Sequence, residues 1–122
     1  MHSSHKSKGG PARVINALRY SIRGLASAFR HEAAFRQELT LAVVLLPLAL
    51  WVGRNLFETV LLIGALVFVL VVELLNSALE AVADSVTLED HPLIERGKDL
   101  GSAAVLLSII LAALIWAGVI WR

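Results

Sequence analysis

Glu73, Asn76, Glu80 and Asp84 follow an uncharged run from Thr59 to Val72 at spacings of three, four and four residues. On a helix turning about 100° per residue they fall within a sector of about 80°. One helix face is therefore polar inside an apolar segment. A carboxylate in a bilayer costs at least ~2.5 kcal/mol near the centre, so such residues usually face a partner or a cavity and mark function. The bland alternative is that they only join helices through hydrogen bonds, a task usually given to Ser, Thr or Asn and seldom to two glutamates.

Glu73 has Val71, Val72, Leu74 and Leu75 as neighbours. A carboxylate in such surroundings suits general-base chemistry near neutral pH. A proton-carrying glutamate in a small transporter would look the same, although the paired broken helices of a mid-membrane substrate site are missing from the pattern. Glu32 and Glu38 flank Ala33-Ala34-Phe35-Arg36-Gln37. If the segment before Glu32 folds back along the membrane, Glu32 and Glu80 meet at one interface, and paired oxygen ligands suit Mg²⁺, which takes one or two carboxylates plus substrate phosphates. Otherwise Glu32 is a solvated charge at a helix end. Lys98, in Glu95-Arg96-Gly97-Lys98-Asp99-Leu100-Gly101-Ser102, either contacts phosphate or snorkels to lipid headgroups. Neither G-x-x-x-x-G-K-[ST] nor G-x-G-x-x-G occurs, so any nucleotide is held without those cradles. The histidines at 2, 5, 31 and 91 lack zinc-ligand spacing, and His2 and His5 read as tail residues.

The elements that must position these residues are apolar helices. The 122 residues are 57% hydrophobic and 17% charged, against about 45–50% and 25% in soluble domains, which excludes an ordinary soluble domain and, more firmly, a disordered chain. Mean hydropathy is +0.75. With no cysteine there is no disulfide framework, thiolate metal site or thiol nucleophile. The sequence predicts an all-α membrane protein in one domain: a polar tail over 1–10, an amphipathic interfacial helix over 11–32, and membrane helices over 33–53, 58–84 and 98–121, with a loop over 85–97. Ile15, Leu18, Ile22, Leu25 and Phe29 form the apolar stripe of the first helix, with Arg19, Arg23 and Arg30 off it. Gly53-Arg54-Asn55 signals a turn. Gly101, Ala104, Ser108 and Ala112 form a small-residue ridge suited to close helix packing. The polar N-terminus lacks an apolar stretch and is expected to be neither signal peptide nor cleaved segment.

All ten acidic residues lie from Glu32 onward, whereas Lys6, Lys8, Arg13, Arg19, Arg23 and Arg30 precede it. A basic front end on a hydrophobic chain favours an anionic membrane surface over nucleic acid, since no basic stripe with stacking aromatics follows. The bias of Lys and Arg places the N-terminus and the 85–98 loop in the cytoplasm. Trp51, Trp116 and Trp121 then belong to the opposite boundary as an aromatic belt. Three helices alone hardly enclose a lipid-sized site and shield two carboxylates, so a homo-oligomer with shared sites is expected.

Glu32-Ala-Ala-Phe-Arg-Gln-Glu38, Val72-Glu73-Leu-Leu-Asn76-Ser-Ala-Leu-Glu80-Ala-Val-Ala-Asp84 and Gly97-Lys98-Asp99-Leu-Gly101-Ser102-Ala-Ala-Val105 strongly resemble the prokaryotic diacylglycerol kinase family, in the same order from about Arg13 to Trp121. The resemblance implies an inner-membrane homotrimer of three-span subunits that transfers the γ-phosphate of MgATP to diacylglycerol, giving phosphatidic acid for phospholipid recycling. It implies Glu73 as the base on the lipid hydroxyl and Glu32 and Glu80 as ligands of Mg²⁺, with Asn76 supporting them. Lys98, Asp99, Arg13, Tyr20, Glu89, Asp90 and His91 would contact ATP. Ser21, Ala34, Phe35, Arg36, Gln37, Glu38 and Ser102 would line the lipid side, with Glu73 and the tryptophans Trp51, Trp116 and Trp121.

Ile22-Arg23 after Tyr20-Ser21 and the loop Thr87-Leu88-Glu89-Asp90-His91-Pro92 depart from the Gram-negative form, so the adenine side is less closely matched than the metal side. Relatives that resemble this family phosphorylate undecaprenol, but the Phe-Arg-Gln-Glu and Gly-Ser-Ala-Ala-Val stretches resemble the diacylglycerol branch more. The competing classes are a proton-coupled transporter, which would have no use for ATP, and a packing subunit, in which Glu73→Gln would disturb assembly alone.

Overall fold

The computed structural model describes residues 9–86 and 91–122 of the chain. They form four helices, α1 (Gly10–His31), α2 (Ala33–Val52), α3 (Leu56–Val86) and α4 (Pro92–Ile120), and no strand among the described residues. Contacts divide the chain into two units, the first ending at Glu32 and the second starting at Ala33.

In the first unit α1 starts at two glycines with positive φ, 74° at Gly9 and 64° at Gly10, a backbone that side-chain-bearing residues rarely adopt. Pro11 follows in the first turn, where a missing N–H breaks no helical bond. The helix is strongly amphipathic, and Arg30 and His31 in its last turn complement the negative end of its dipole. Glu32 ends it in extended conformation, its N–H donating to the Ala28 carbonyl at 2.9 Å.

In the second unit α2, α3 and α4 are each long and apolar enough to cross a membrane. α2 continues through Pro47, which cannot donate to the Val43 carbonyl. The turn to α3 is tight because Asn55 and Glu58 cap it from both sides. Glu58 N–H donates to Asn55 Oδ1 at 2.9 Å, and Arg54 N–H donates to Glu58 Oε1 at 2.9 Å, a variant of the capping box. Gly53 is required there, since a β-carbon at that position would overlap Thr59 Oγ1.

α3 packs against both α2 and α4. Near that turn the core is Ala49, Leu62 and Val119, with Val52, Ile63 and Trp116 packed around them. Trp116 is part-buried at this end, and its Nε1–H donates to the Leu62 carbonyl at 3.2 Å, which satisfies the indole between α3 and α4. Trp51 and Trp121 stay exposed, at 81% and 83%. Arg122 closes this end by donating to Glu58 Oε2 at 2.7 Å, to the Val52 carbonyl at 3.1 Å, and to the Val119 carbonyl. The three elements are thereby tied at one guanidinium, whose planar fork suits several acceptors at once.

The fourth helix begins at Pro92, earlier than the expected 98. Its N-cap is His91, whose Nδ1 accepts from Leu93 N–H at 3.2 Å, and Glu95 sits in the first turn. Pro92 starts the helix here, and Gly97 is carried inside it at a cost of about 1 kcal/mol relative to alanine. Along α4 the packed ridge is Gly101, Val105, Ser108 and Ala112, while Ala104, expected in it, is exposed.

Candidate functional site

The polar face of α3 is built as its spacing predicts, and its deepest member is Glu73. That side chain is 5% exposed and stands in the buried row Leu62, Ala65, Val69, Glu73. Three and four residues separate these positions, so the stripe that packs α3 onto its neighbours carries Glu73 inward with it. Ser77, one turn further, donates its hydroxyl to Glu73 Oε2 at 3.4 Å. Across the α2–α3 contact the Glu38 carboxyl comes within hydrogen-bonding reach of Glu73. Glu38 Oε1 is buried without a hydrogen-bond partner. Glu38, expected to line the lipid side, is thus also the neighbour of the candidate base.

One turn toward the α3 C-terminus, Asn76 Nδ2 donates to Glu80 Oε2 at 3.4 Å, and Asn76 Oδ1 is buried with no hydrogen-bond partner. At the end of the polar face Asp84 accepts from Lys98 Nζ at 2.7 Å, joining the end of α3 to the start of α4. Lys98, expected at a nucleotide, is here paired with Asp84. Asp99 and Ser102 are exposed on the same part of α4.

Between α2, α3 and α4 lies a cavity of about 340 Å³ with Glu38 and Trp116 among its lining residues and an otherwise aliphatic wall that includes Leu41, Leu66 and Ile109. Along α2 and α4 these two residues mark its opposite ends. A second hollow on α2 is lined by Arg36, Gln37 and Thr40 above Leu41 and Val44. Both combine a few polar groups with an apolar surface, the arrangement a lipid with a polar head requires.

Of the remaining expected residues, Arg13, Tyr20 and Ser21 lie on α1, where Ser21 Oγ donates to the Ala17 carbonyl at 2.9 Å and the Arg23 guanidinium stands 5.4 Å from the Tyr20 ring centroid. Glu32 ends α1, Ala34 and Phe35 are in the first turn of α2, and His91 caps α4. Glu89 and Asp90 lie outside the described residues. Ser77 was visible in principle, being four residues beyond Glu73. The Glu38–Glu73 and Asp84–Lys98 pairings join separate helices, and spacing along one helix does not encode them.

Among the described residues no three His, Asp or Glu side chains converge as a metal cage. Mg²⁺ does not need one, because it keeps waters and takes one or two carboxylates together with phosphate oxygens. Glu80 supplies a hard carboxylate oxygen of the kind such an ion takes, and Asn76 Nδ2 orients it. Helix adhesion does not account for this face: interhelical hydrogen bonds in membranes average about 0.6 kcal/mol, well below the ~2.5 kcal/mol or more that each central carboxylate costs.

A sequence profile of prokaryotic diacylglycerol kinase matches residues 19–120. The chain is similar to a diacylglycerol kinase of Pseudomonas aeruginosa, 44% identical over 118 residues that cover 97% of this chain and 96% of that protein. It is also similar to a diacylglycerol kinase of Escherichia coli, 45% identical over 112 residues covering 92% of each chain. A third, from Haemophilus influenzae, is 41% identical over 112 residues, 92% of this chain and 95% of that protein.

Proposed function

We propose that this chain, which belongs to the prokaryotic diacylglycerol kinase family and transfers the γ-phosphate of ATP to the hydroxyl of 1,2-diacylglycerol, does so with Glu73 as base and with Glu32 and Glu80 as ligands of Mg²⁺. The observation that carries the reading is Glu73 itself, buried at 5% exposure beside Glu38. Glu73 receives the proton of the lipid hydroxyl as the hydroxyl oxygen attacks the γ-phosphorus and the bond to the β,γ-bridging oxygen breaks, releasing ADP, and Ser77, donating to Oε2, keeps the carboxylate turned. Glu38 lines the cavity between α2, α3 and α4, so an acyl chain laid along that cavity brings the hydroxyl end of the acceptor to the Glu38–Glu73 level.

The nucleotide side is the cytoplasmic end of the same helices. Asn76 holds Glu80 through Nδ2. Lys98 exchanges Asp84 for a phosphate oxygen, with Asp99, His91, Glu89, Asp90, Arg13 and Tyr20 holding the rest of ATP. Mg²⁺, when bound, neutralises charge on the transferring phosphoryl group. Phosphoryl transfer asks chiefly for positioning and charge stabilisation, and one base, one cation site and one lysine are sufficient parts. Ser21, the Ala34–Glu38 stretch, Ser102 and the three tryptophans line the side of the site that takes the lipid acceptor. The bias of basic residues supports an inner-membrane topology with the N-terminus and the α3–α4 loop cytoplasmic.

The working unit is a homotrimer with each site shared between subunits. Its test is subunit mixing in mixed micelles of full-length chains carrying Glu32→Gln with chains carrying Glu73→Gln, at a Mg²⁺ concentration too low for the Glu32→Gln chains to turn over alone. Shared sites return about a quarter of wild-type transfer after random one-to-one mixing, since each site draws its two residues from independent chains. Sites complete within one chain return none.

A further inference from the structure

At the α3–α4 crossing Gly101 stands directly against Asn76. A β-carbon at position 101 would overlap Asn76 Oδ1 and lie 3.3 Å from its Cγ. The other glycines of α3 and α4, Gly64, Gly97 and Gly118, have nothing within 4 Å of such an atom. The fit at 101 therefore belongs to one polar side chain and is not a general property of small residues on these helices. The same amide donates to Glu80 Oε2 through Nδ2, and its Oδ1 is buried without a donor. With Oδ1 turned to the α4 backbone at Gly101, the amide can present only Nδ2 to Glu80.

We propose that Gly101 is a positioning residue for the cation site: its missing side chain lets the α4 backbone close over Asn76 Oδ1 and so fixes the amide with Nδ2 on Glu80. A methyl group at 101 forces the amide to rotate or withdraw. Glu80 then loses its orienting donor. The inference rests on the reading of Glu80 as a Mg²⁺ ligand.

The test is a double-mutant cycle on the purified full chain in detergent, with Gly101→Ala, Asn76→Ala and the pair. Affinity for β,γ-methylene-ATP is read by calorimetry with and without Mg²⁺, alongside the thermal midpoint of the free protein. Gly101→Ala is expected to weaken Mg²⁺-dependent binding about tenfold, as loss of an outer-shell partner does, but by less than twofold when Asn76 is already alanine. Equal losses in both backgrounds, or no loss in either, overturn the proposal. Should Gly101→Ala alone not fold, recovery of folded protein in the double variant identifies Asn76 as the group the methyl strikes and supports it, whereas failure of the double variant as well overturns it. Wild-type binding that is indifferent to Mg²⁺ defeats the underlying metal reading, a result distinct from Mg²⁺-dependent binding with equal losses across the cycle.

Discussion

Glu73→Gln is expected to lower phosphate transfer about 10³-fold, within the range that a positioned general base contributes, while nucleotide binding stays at its wild-type level. The substitution keeps the volume of a side chain that is only 5% exposed, so it leaves no cavity in the α3 stripe. It also keeps a carbonyl oxygen able to accept from Ser77, which holds Glu73 Oε2 at 3.4 Å. The amide cannot take a proton from an alcohol. A loss confined to kcat, with the KM for ATP unchanged, is the signature of an interaction needed only in the transition state. The measurement is steady-state transfer from labelled ATP in mixed micelles together with nucleotide binding to the same preparation. Retained turnover removes Glu73 as the base, and a collapsed oligomer would place it in packing instead.

Glu80→Gln has the second largest expected effect, of a different kind. Its Oε2 accepts from Asn76 Nδ2 at 3.4 Å. Exchanging one carboxylate oxygen for an amide nitrogen removes a negative hard ligand and sets two amides against each other. The half-saturating Mg²⁺ concentration for transfer should rise about 100-fold, at the upper end of what changes around a metal site produce, and raised Mg²⁺ should recover part of the rate. Glu32→Gln should behave likewise. Glu73→Gln should not recover at any Mg²⁺ concentration, so a Mg²⁺ titration of the three variants separates base from ligands. An unchanged Mg²⁺ requirement in Glu80→Gln counts against its assignment.

These expectations rest on features that were unequally legible in the sequence. The polar face of α3 was readable because helical geometry turns a three-four-four spacing into a single face. The amphipathic α1 was readable for the same reason. The start of α4 was not: Pro92 and Gly97 both resemble loop signals, and only the cap formed by His91 Nδ1 on Leu93 N–H shows that Pro92 opens the helix. Contacts between helices were less legible still. Nothing in one-dimensional spacing tells Glu38 from any other charge at a helix start, yet packing of α2 on α3 sets it at Glu73. Spacing likewise does not show that the Trp116 indole donates to the Leu62 carbonyl. Gly101 was visible as one member of a small-residue ridge, but its particular role depends on which side chain α3 presents to it.

The most direct test of the whole account is phosphate transfer from γ-labelled ATP by the purified chain in mixed micelles, to diacylglycerol and to undecaprenol side by side, with and without Mg²⁺. Labelled phosphatidic acid that appears from diacylglycerol only when Mg²⁺ is present, with little product from undecaprenol, is the predicted result. Transfer at full rate without divalent cation, or product mainly from undecaprenol, would contradict it.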